Sequence, residues 1–161
     1  MLTETPHPGF REKVQASFDR QGLMKALHGR LIRIDAGCVH IELPYSDVVT
    51  QQHGYFHAAA IAAIADNAGG YAALTLMEPD EEVVAAEFKI NLLRPAVGPR
   101  LVAEAQVIRA GRTLVVSEVS VSAVVDEQLP GSAREAPRVR VAMMLQTNCR
   151  VKMPQEYPRT R

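Results

Sequence analysis

The amino-acid sequence predicts an α+β domain in which one long apolar helix lies against an antiparallel sheet. Three observations carry that expectation. The run from Ala58 to Met77 is apolar on every side, a two-residue alternation fills most of the chain after it, and the elements fall in the order helix, two strands, long helix, four strands. A helix that is apolar all round has to be covered all round, and a sheet curled around it is the economical cover. The small residues Ala58, Ala59, Ala60, Ala62, Ala63, Ala65, Ala68, Gly69 and Gly70 would let strands approach it closely.

Each element has its own signal. Phe10, Val14, Phe18, Met24 and Leu27 recur among charged residues, an amphipathic helix over 9–28 broken near Gly22. The β-branched runs Leu31–Ile34 and Cys38–Leu43 flank Asp35-Ala36-Gly37, a hairpin signal, and Pro44 ends the second run. A polar loop, Tyr45 to Phe56, leads into the long helix from about His57 to Leu76, which Glu78-Pro79-Asp80 stops. Strands are then expected over Val83–Leu93, Arg100–Arg109, Thr113–Val125 and Arg138–Thr147, with turns at Arg94–Pro99 and Ala110–Arg112 and a polar stretch at Asp126–Pro137. The chain thus divides into an N-terminal helical segment (1–29), a main domain (30–150) and a basic, Pro-containing tail (151–161) expected to be disordered. A strand as long as Thr113–Val125 cannot leave an apolar edge open without risk of aggregation, so a homodimer or homotetramer with strands continuing across the boundary is expected.

Composition narrows the function classes. The chain has 161 residues, enough for one domain, with 18 basic and 18 acidic side chains and therefore no net charge. That balance argues against electrostatic capture of nucleic acid or a membrane surface, and the absence of Trp weakens a base-stacking platform. Cys38 and Cys149 are too few for a disulfide framework and lack metal-ligand spacing. His53 and His57 stand at i, i+4 but without an HExxH pattern, so no metal is expected. The acidic, Pro-containing start of the chain is unlike a signal peptide, and a cytoplasmic protein is the expectation. The Ala58–Met77 run is long enough to span a bilayer, but its central Asp66 would cost roughly 2.5–3.5 kcal/mol to insert, which favours a buried core helix.

Asp66 is the residue that asks for an explanation. An ionised carboxylate withdrawn from water costs several kcal/mol unless paired, and positions 62, 63, 69 and 70, its helical neighbours, are Ala, Ala, Gly and Gly. Asp66-Asn67 either marks a cap or kink or belongs to a site, since perturbed carboxylates in apolar surroundings concentrate at functional sites. The loop Gln51-Gln52-His53-Gly54-Tyr55-Phe56-His57 delivers polar groups to the start of the same helix, where the first amides are unpaired and carry the positive end of the dipole. Such amides suit a carbonyl or an oxyanion.

The run His57-Ala58-Ala59-Ala60-Ile61-Ala62-Ala63-Ile64-Ala65-Asp66-Asn67-Ala68 resembles the His-Gly-Gly…Asp helix of the hotdog-fold acyl-CoA thioesterases of the phenylacetate-degradation (PaaI-like) subfamily. Glu87 to Ala96 is similar to that family's strand after the helix, and Ala110-Gly111-Arg112-Thr113-Leu114 to its Gly-Lys/Arg-Thr strand start. The likeness spans roughly residues 30–147. It implies the hotdog fold, a long central helix wrapped by a curved antiparallel sheet, and hydrolysis of an acyl-CoA thioester with coenzyme A present only as part of the substrate.

The resemblance also implies roles. Asp66 matches the carboxylate that serves as nucleophile or general base, and Ala58 the residue whose backbone N–H polarises the thioester carbonyl. His57 matches the family His, Gly54 the loop Gly before it, and Gln51 a position where many members have Asn. Ala85 stands where some members have Ser or Thr near the attacking water, which puts a hydroxyl-assisted mechanism in doubt. Arg94, Arg109 and Arg112, with Thr113 beginning the strand beside the last, are candidate partners of the coenzyme A phosphates; the alternative for each is an ordinary solvated turn. The resemblance further implies that Ala58 and Asp66 of one site come from opposite subunits. A hotdog hydratase or dehydratase using His57, and a non-catalytic acyl-CoA binding module, are the competing functions on this fold.

Overall fold

The structure, a computed structural model, describes residues 6–125 and 136–152. Its elements are α1 (Phe10–Phe18), α2 (Gly22–Ala26), β1 (Arg30–Asp35), β2 (Cys38–Pro44), a short 3-10 turn (Asp47–Val49), α3 (Ala58–Leu74), β3 (Glu81–Leu92), β4 (Arg100–Ala110), β5 (Leu114–Val124) and β6 (Arg138–Lys152). The break expected at Gly22 separates α1 from α2, and every strand read from the alternation is present. β6 continues past the expected domain end at 150, through Lys152; the remainder of the tail and most of the polar stretch after Val125 lie outside the described residues.

The six strands form one antiparallel sheet in the order β1-β2-β4-β5-β6-β3, and α3 packs on one face of it against β2, β3, β4, β5 and β6. This is the α+β layout that the alternation and the single long helix implied. Val14, Phe18 and Met24 of the N-terminal helices join the same core as α3 and the sheet, so the helical segment is part of one packed unit. The far end of α3 is tied to the β1–β2 hairpin: the Gly37 N–H donates to Thr75 Oγ1 (2.7 Å), which itself donates to the Ala72 carbonyl (2.6 Å). Among the described residues no helix is long and apolar enough to cross a membrane.

Two expectations need correction. Thr113–Val125 does not supply an edge: β5 lies between β4 and β6, and the free edges are β1 and β3. β1 is edged with charge, where Asp35 accepts from Arg11 (2.6 Å) and Arg33 (2.7 Å), a common protection against edge pairing. β3 carries Glu87 and Lys89 on its outer face, but the face toward the helix is apolar near its end. Phe88 and Leu92 lie opposite Gln146 and Ala142, on the helix side of the sheet, yet remain 46% and 50% exposed. Second, the curved sheet wraps α3 as expected but leaves one stripe of it open. Ala58, Ala62, Asp66 and Gly70, at successive fourfold spacing, stay exposed or half-buried and form an open stripe beside β3.

The turn into β4 depends on Gly98. Its φ is +149°, and a Cβ there would stand 2.1 Å from the backbone oxygen of Val124. That oxygen is backbone and cannot swing aside as a side chain would. We expect Gly98→Ala to cost roughly 2–3 kcal/mol in urea denaturation, whereas Gly22→Ala, where the added carbon meets nothing, should fall between neutral and about 1 kcal/mol stabilising.

Candidate active site

α3 runs unbroken through Asp66-Asn67, so these residues are neither a cap nor a kink. Asn67 keeps its place by donating from Nδ2 to the carbonyl of Ala63, one turn back (2.9 Å). Asp66 is half-buried on the open stripe, and its Oδ1 accepts a hydrogen bond from Gln146 Nε2 (2.6 Å). No ion pair reaches it among the described residues. Burial raises its pKa above the usual carboxylate range, and the Gln146 hydrogen bond offsets only part of that rise.

Gln146 reaches Asp66 because Gly69 leaves room. A Cβ on Gly69 would stand 2.0 Å from Gln146 Oε1 and 3.2 Å from Val119 Cγ2. Two residues further along β6, Asn148 projects into the same space. Both amides are essentially fully buried, at 1% and 0% exposure. Around them lies a cavity of about 190 Å³ lined by Asp66, Asn67, Gly70, Tyr71, Ala85 and the amides of β6, with Ser17 and Gln21 reaching in from the N-terminal helices and Glu82 from β3. Tyr71 closes its inner wall: its hydroxyl accepts from Gln21 Nε2 (2.8 Å) and donates to Ser17 Oγ (3.3 Å).

The start of α3 forms a second centre. His57 is the N-cap, its Nδ1 accepting from the Ala59 N–H (2.9 Å). The amides of Ala60 and Ile61 both turn to the His57 carbonyl, so the Ala58 N–H is left without an acceptor among the described residues. Ala58 lines a cavity of about 350 Å³ together with Gln51, Tyr55, Phe56, Ile61, Arg94 and the strand end around Leu92 and Leu93. The loop before it is braced from within: Gln51 Oε1 accepts from the His53 N–H, and the Gly54 carbonyl accepts from Tyr45 Oη (3.2 Å).

Within one chain these two centres do not meet. Ala58 and Asp66 are eight residues apart on one helix, about 12 Å at 1.5 Å per residue. His57 lies further still from Asp66, so the His-plus-acid pair that a hydratase would use is not assembled in one subunit. Of the other expected residues, Ala85 lines the Asp66 cavity, and Gln51 and Arg94 line the Ala58 cavity. Gly54 shapes the loop. Arg109, Arg112 and Thr113 line neither cavity; they are exposed at the β4–β5 turn, at the end of the molecule where Arg150 donates to both Thr113 O (2.9 Å) and Leu76 O (3.0 Å). Gln146, Asn148, Ser17, Gln21 and Tyr71 were not among the residues expected from the sequence. Among the described residues no group of three or more His, Cys, Asp or Glu converges as a metal site would require.

A long helix against one face of a six-stranded antiparallel sheet, with a carboxylate at mid-helix, defines a hotdog-fold protein. Residues 53–129 match the model of the thioesterase superfamily. A solved thioesterase family protein from Silicibacter pomeroyi superposes with a TM-score of 0.83 at 36% identity, over 90% of this chain and 100% of that one. A 1,4-dihydroxy-2-naphthoyl-CoA hydrolase of Listeria monocytogenes is 26% identical over 63% of this chain and 82% of its own length. The E. coli PaaI protein of the phenylacetic acid degradation operon shares the fold at 20% identity, with a TM-score of 0.73 over 88% of this chain and 93% of that one. The chain belongs to the thioesterase superfamily.

The raised pKa of Asp66 has a consequence for stability. A carboxyl whose folded pKa is raised holds its proton more tightly when folded, so the stability present below the unfolded value, about 3.9, is lost as pH rises through the folded value. Asp66→Asn removes that loss. Thermal unfolding should therefore show the variant at least as stable as wild type at pH 7, with the advantage shrinking toward pH 3.

Proposed function

We propose that the chain hydrolyses acyl-CoA thioesters as a symmetric dimer, or a tetramer built from such dimers, whose sites each combine Asp66 of one subunit with the α3 N-terminus of the other. The observation that carries this reading is Asp66 itself: a half-buried carboxylate with no cationic partner among the described residues, facing a cavity from a predominantly apolar helix. A module that only bound acyl groups would gain nothing from it.

The chemistry follows from the two centres. The unpaired Ala58 N–H, at the positive end of a 17-residue helix, donates to the thioester carbonyl and stabilises the negative charge that develops on its oxygen. Asp66 then either attacks the carbonyl carbon, giving an acyl-aspartyl anhydride that water cleaves, or takes the proton of a water that attacks in its place. In both routes the C–S bond breaks, the electron pair leaves with the coenzyme A thiolate, and the acid is released. Both need Asp66 ionised. Arg94 is the guanidinium beside the Ala58 amide, and we assign it to the phosphates of coenzyme A. Arg109, Arg112 and Thr113 can contribute only where a partner subunit brings their turn to the site.

Pairing through β3 is supported by its free edge, by exposed Phe88 and Leu92, and by the open Ala58–Ala62–Asp66–Gly70 stripe alongside. A twofold axis there would bury all three features at once.

Two measurements test the reading. With release of free thiol as the assay, Asp66→Asn should lower kcat by about 10²–10⁴-fold, and wild-type activity should fall as acid protonates Asp66, at a pH above that of an ordinary carboxylate. A fully active Asp66→Asn protein would sink the assignment. Light scattering should give a dimer or an even multiple of it, and Phe88→Glu should yield monomer with activity reduced at least tenfold; an active wild-type monomer would remove the two-subunit site.

A further inference from the structure

The Asp66 cavity contains more polarity than the hydrolytic reaction uses. Asn148 is fully buried, and neither its Nδ2 nor its Oδ1 has a hydrogen-bond partner among the described residues. Gln146 Oε1 and Asn67 Oδ1, lining the same cavity, are in the same condition. In the sheet, Asn148 stands between Ala85 of β3 and Val115 of β5, and across from it on α3 lies Gly70; none of the three has a polar side chain to offer. Buried polar groups are nearly always satisfied, and an orphaned amide with both donor and acceptor open costs stability that an apolar residue here would not. A pocket meant for a plain alkyl chain would be lined better by Leu or Val at this position.

We propose that this cavity is an acyl pocket for a short, uncharged acyl group that carries a hydroxyl or similar hydrogen-bonding group, and that Asn148 recognises it. The inference rests on the thioesterase reading above and adds the substrate class. The volume favours a short chain: about 190 Å³ is below the roughly 300–1,000 Å³ of pockets that hold drug-sized ligands. The charge is set by Asp66 and Glu82, two carboxylates in the cavity wall, which disfavour a second anion on the acyl chain. The far wall continues the polar lining through Ser17, Gln21 and the Tyr71 hydroxyl, so the N-terminal helices take part in selecting the substrate. A site built to hydrogen-bond a hydroxyl discriminates strongly against the analogue that lacks it, because the amide is then left unpaired.

The test is a matched series on the full chain: butanoyl-CoA, 3-hydroxybutanoyl-CoA, 4-hydroxybutanoyl-CoA and succinyl-CoA, followed by released thiol. At least one hydroxybutanoyl thioester should exceed butanoyl-CoA in kcat/KM by about tenfold or more, with succinyl-CoA below all three. Asn148→Leu should reduce the hydroxybutanoyl-to-butanoyl ratio by about 10- to 100-fold. Butanoyl-CoA turned over as well as both hydroxy compounds overturns the proposal and leaves the thioesterase reading standing, as does an unchanged ratio in Asn148→Leu. Should that variant fail to fold, the wild-type series decides alone. If no thioester is cleaved, the thioesterase reading fails, and calorimetric titration of the same compounds into Asp66→Asn protein still reads the pocket: tighter binding of a hydroxybutanoyl compound supports it, equal affinities overturn it.

Discussion

The close approach of α3 to the sheet governs the rest of the molecule. Small residues make up much of its buried surface: Ala60, Ala65, Ala68, Gly69, Ala72 and Ala73 are buried beside the larger Ile61, Ile64, Tyr71 and Leu74. At Gly69 an added carbon would displace the Gln146 amide, since Gln146 Oε1 occupies the place of its Cβ. That contact lets an amide on β6 reach a carboxylate on the helix. Without it, Asp66 would sit in the same apolar surroundings with no hydrogen bond from the sheet, and its proton would be held more tightly still. The composition of the helix and the electrostatics of the carboxylate are two consequences of one packing distance.

The same proximity explains why polar groups enter the core at all. Ser117 of β5 donates to the carbonyl of Gly69 (3.1 Å), and Thr75 joins the C-terminal turn of α3 to the β1–β2 hairpin. These bonds pin the helix along its length, so the side chains at its middle and at its N-terminus keep fixed positions relative to the strands. A helix held only by non-directional apolar contact could rotate or slide by fractions of an ångström at small cost. Hydrolysis by a positioned carboxylate does not tolerate that freedom.

Most of the fold was legible in the sequence because its signals are local: alternation for strands, uniform apolarity for α3, Pro and Gly at the breaks. What was not legible depends on strand order or on parity after a bulge. β5 was singled out as a possible edge for its length, but one chain's periodicity contains no statement about which strands are neighbours, and the edges proved to be β1 and β3. Gln146 and Asn148 escaped for a different reason. Between Arg140 and Ala142 the pairing with β5 skips Val141, so the buried parity changes from odd to even residues partway along β6. Counted from the strand's start, both amides fall on the solvent face; counted from Ala142 and Met144, they fall inside. Asp66 needed no register, only the absence of a cation among its helical neighbours.

The two centres on α3 also explain a property of the sequence that one subunit leaves unexplained. Small residues continue onto the stripe that the sheet does not cover, at Ala58, Ala62 and Gly70, although exposed helix positions ordinarily take long polar side chains. Under the proposed dimer this stripe faces its counterpart across the twofold axis, and small side chains are what let two helices and two β3 edges approach together. If the partner helix runs antiparallel alongside, the approach that brings Asp66 toward one foreign N-terminus brings Ala58 toward the other foreign carboxylate. One contact surface then completes two identical sites, while a single chain, with about 12 Å between its own amide and its own acid, completes neither.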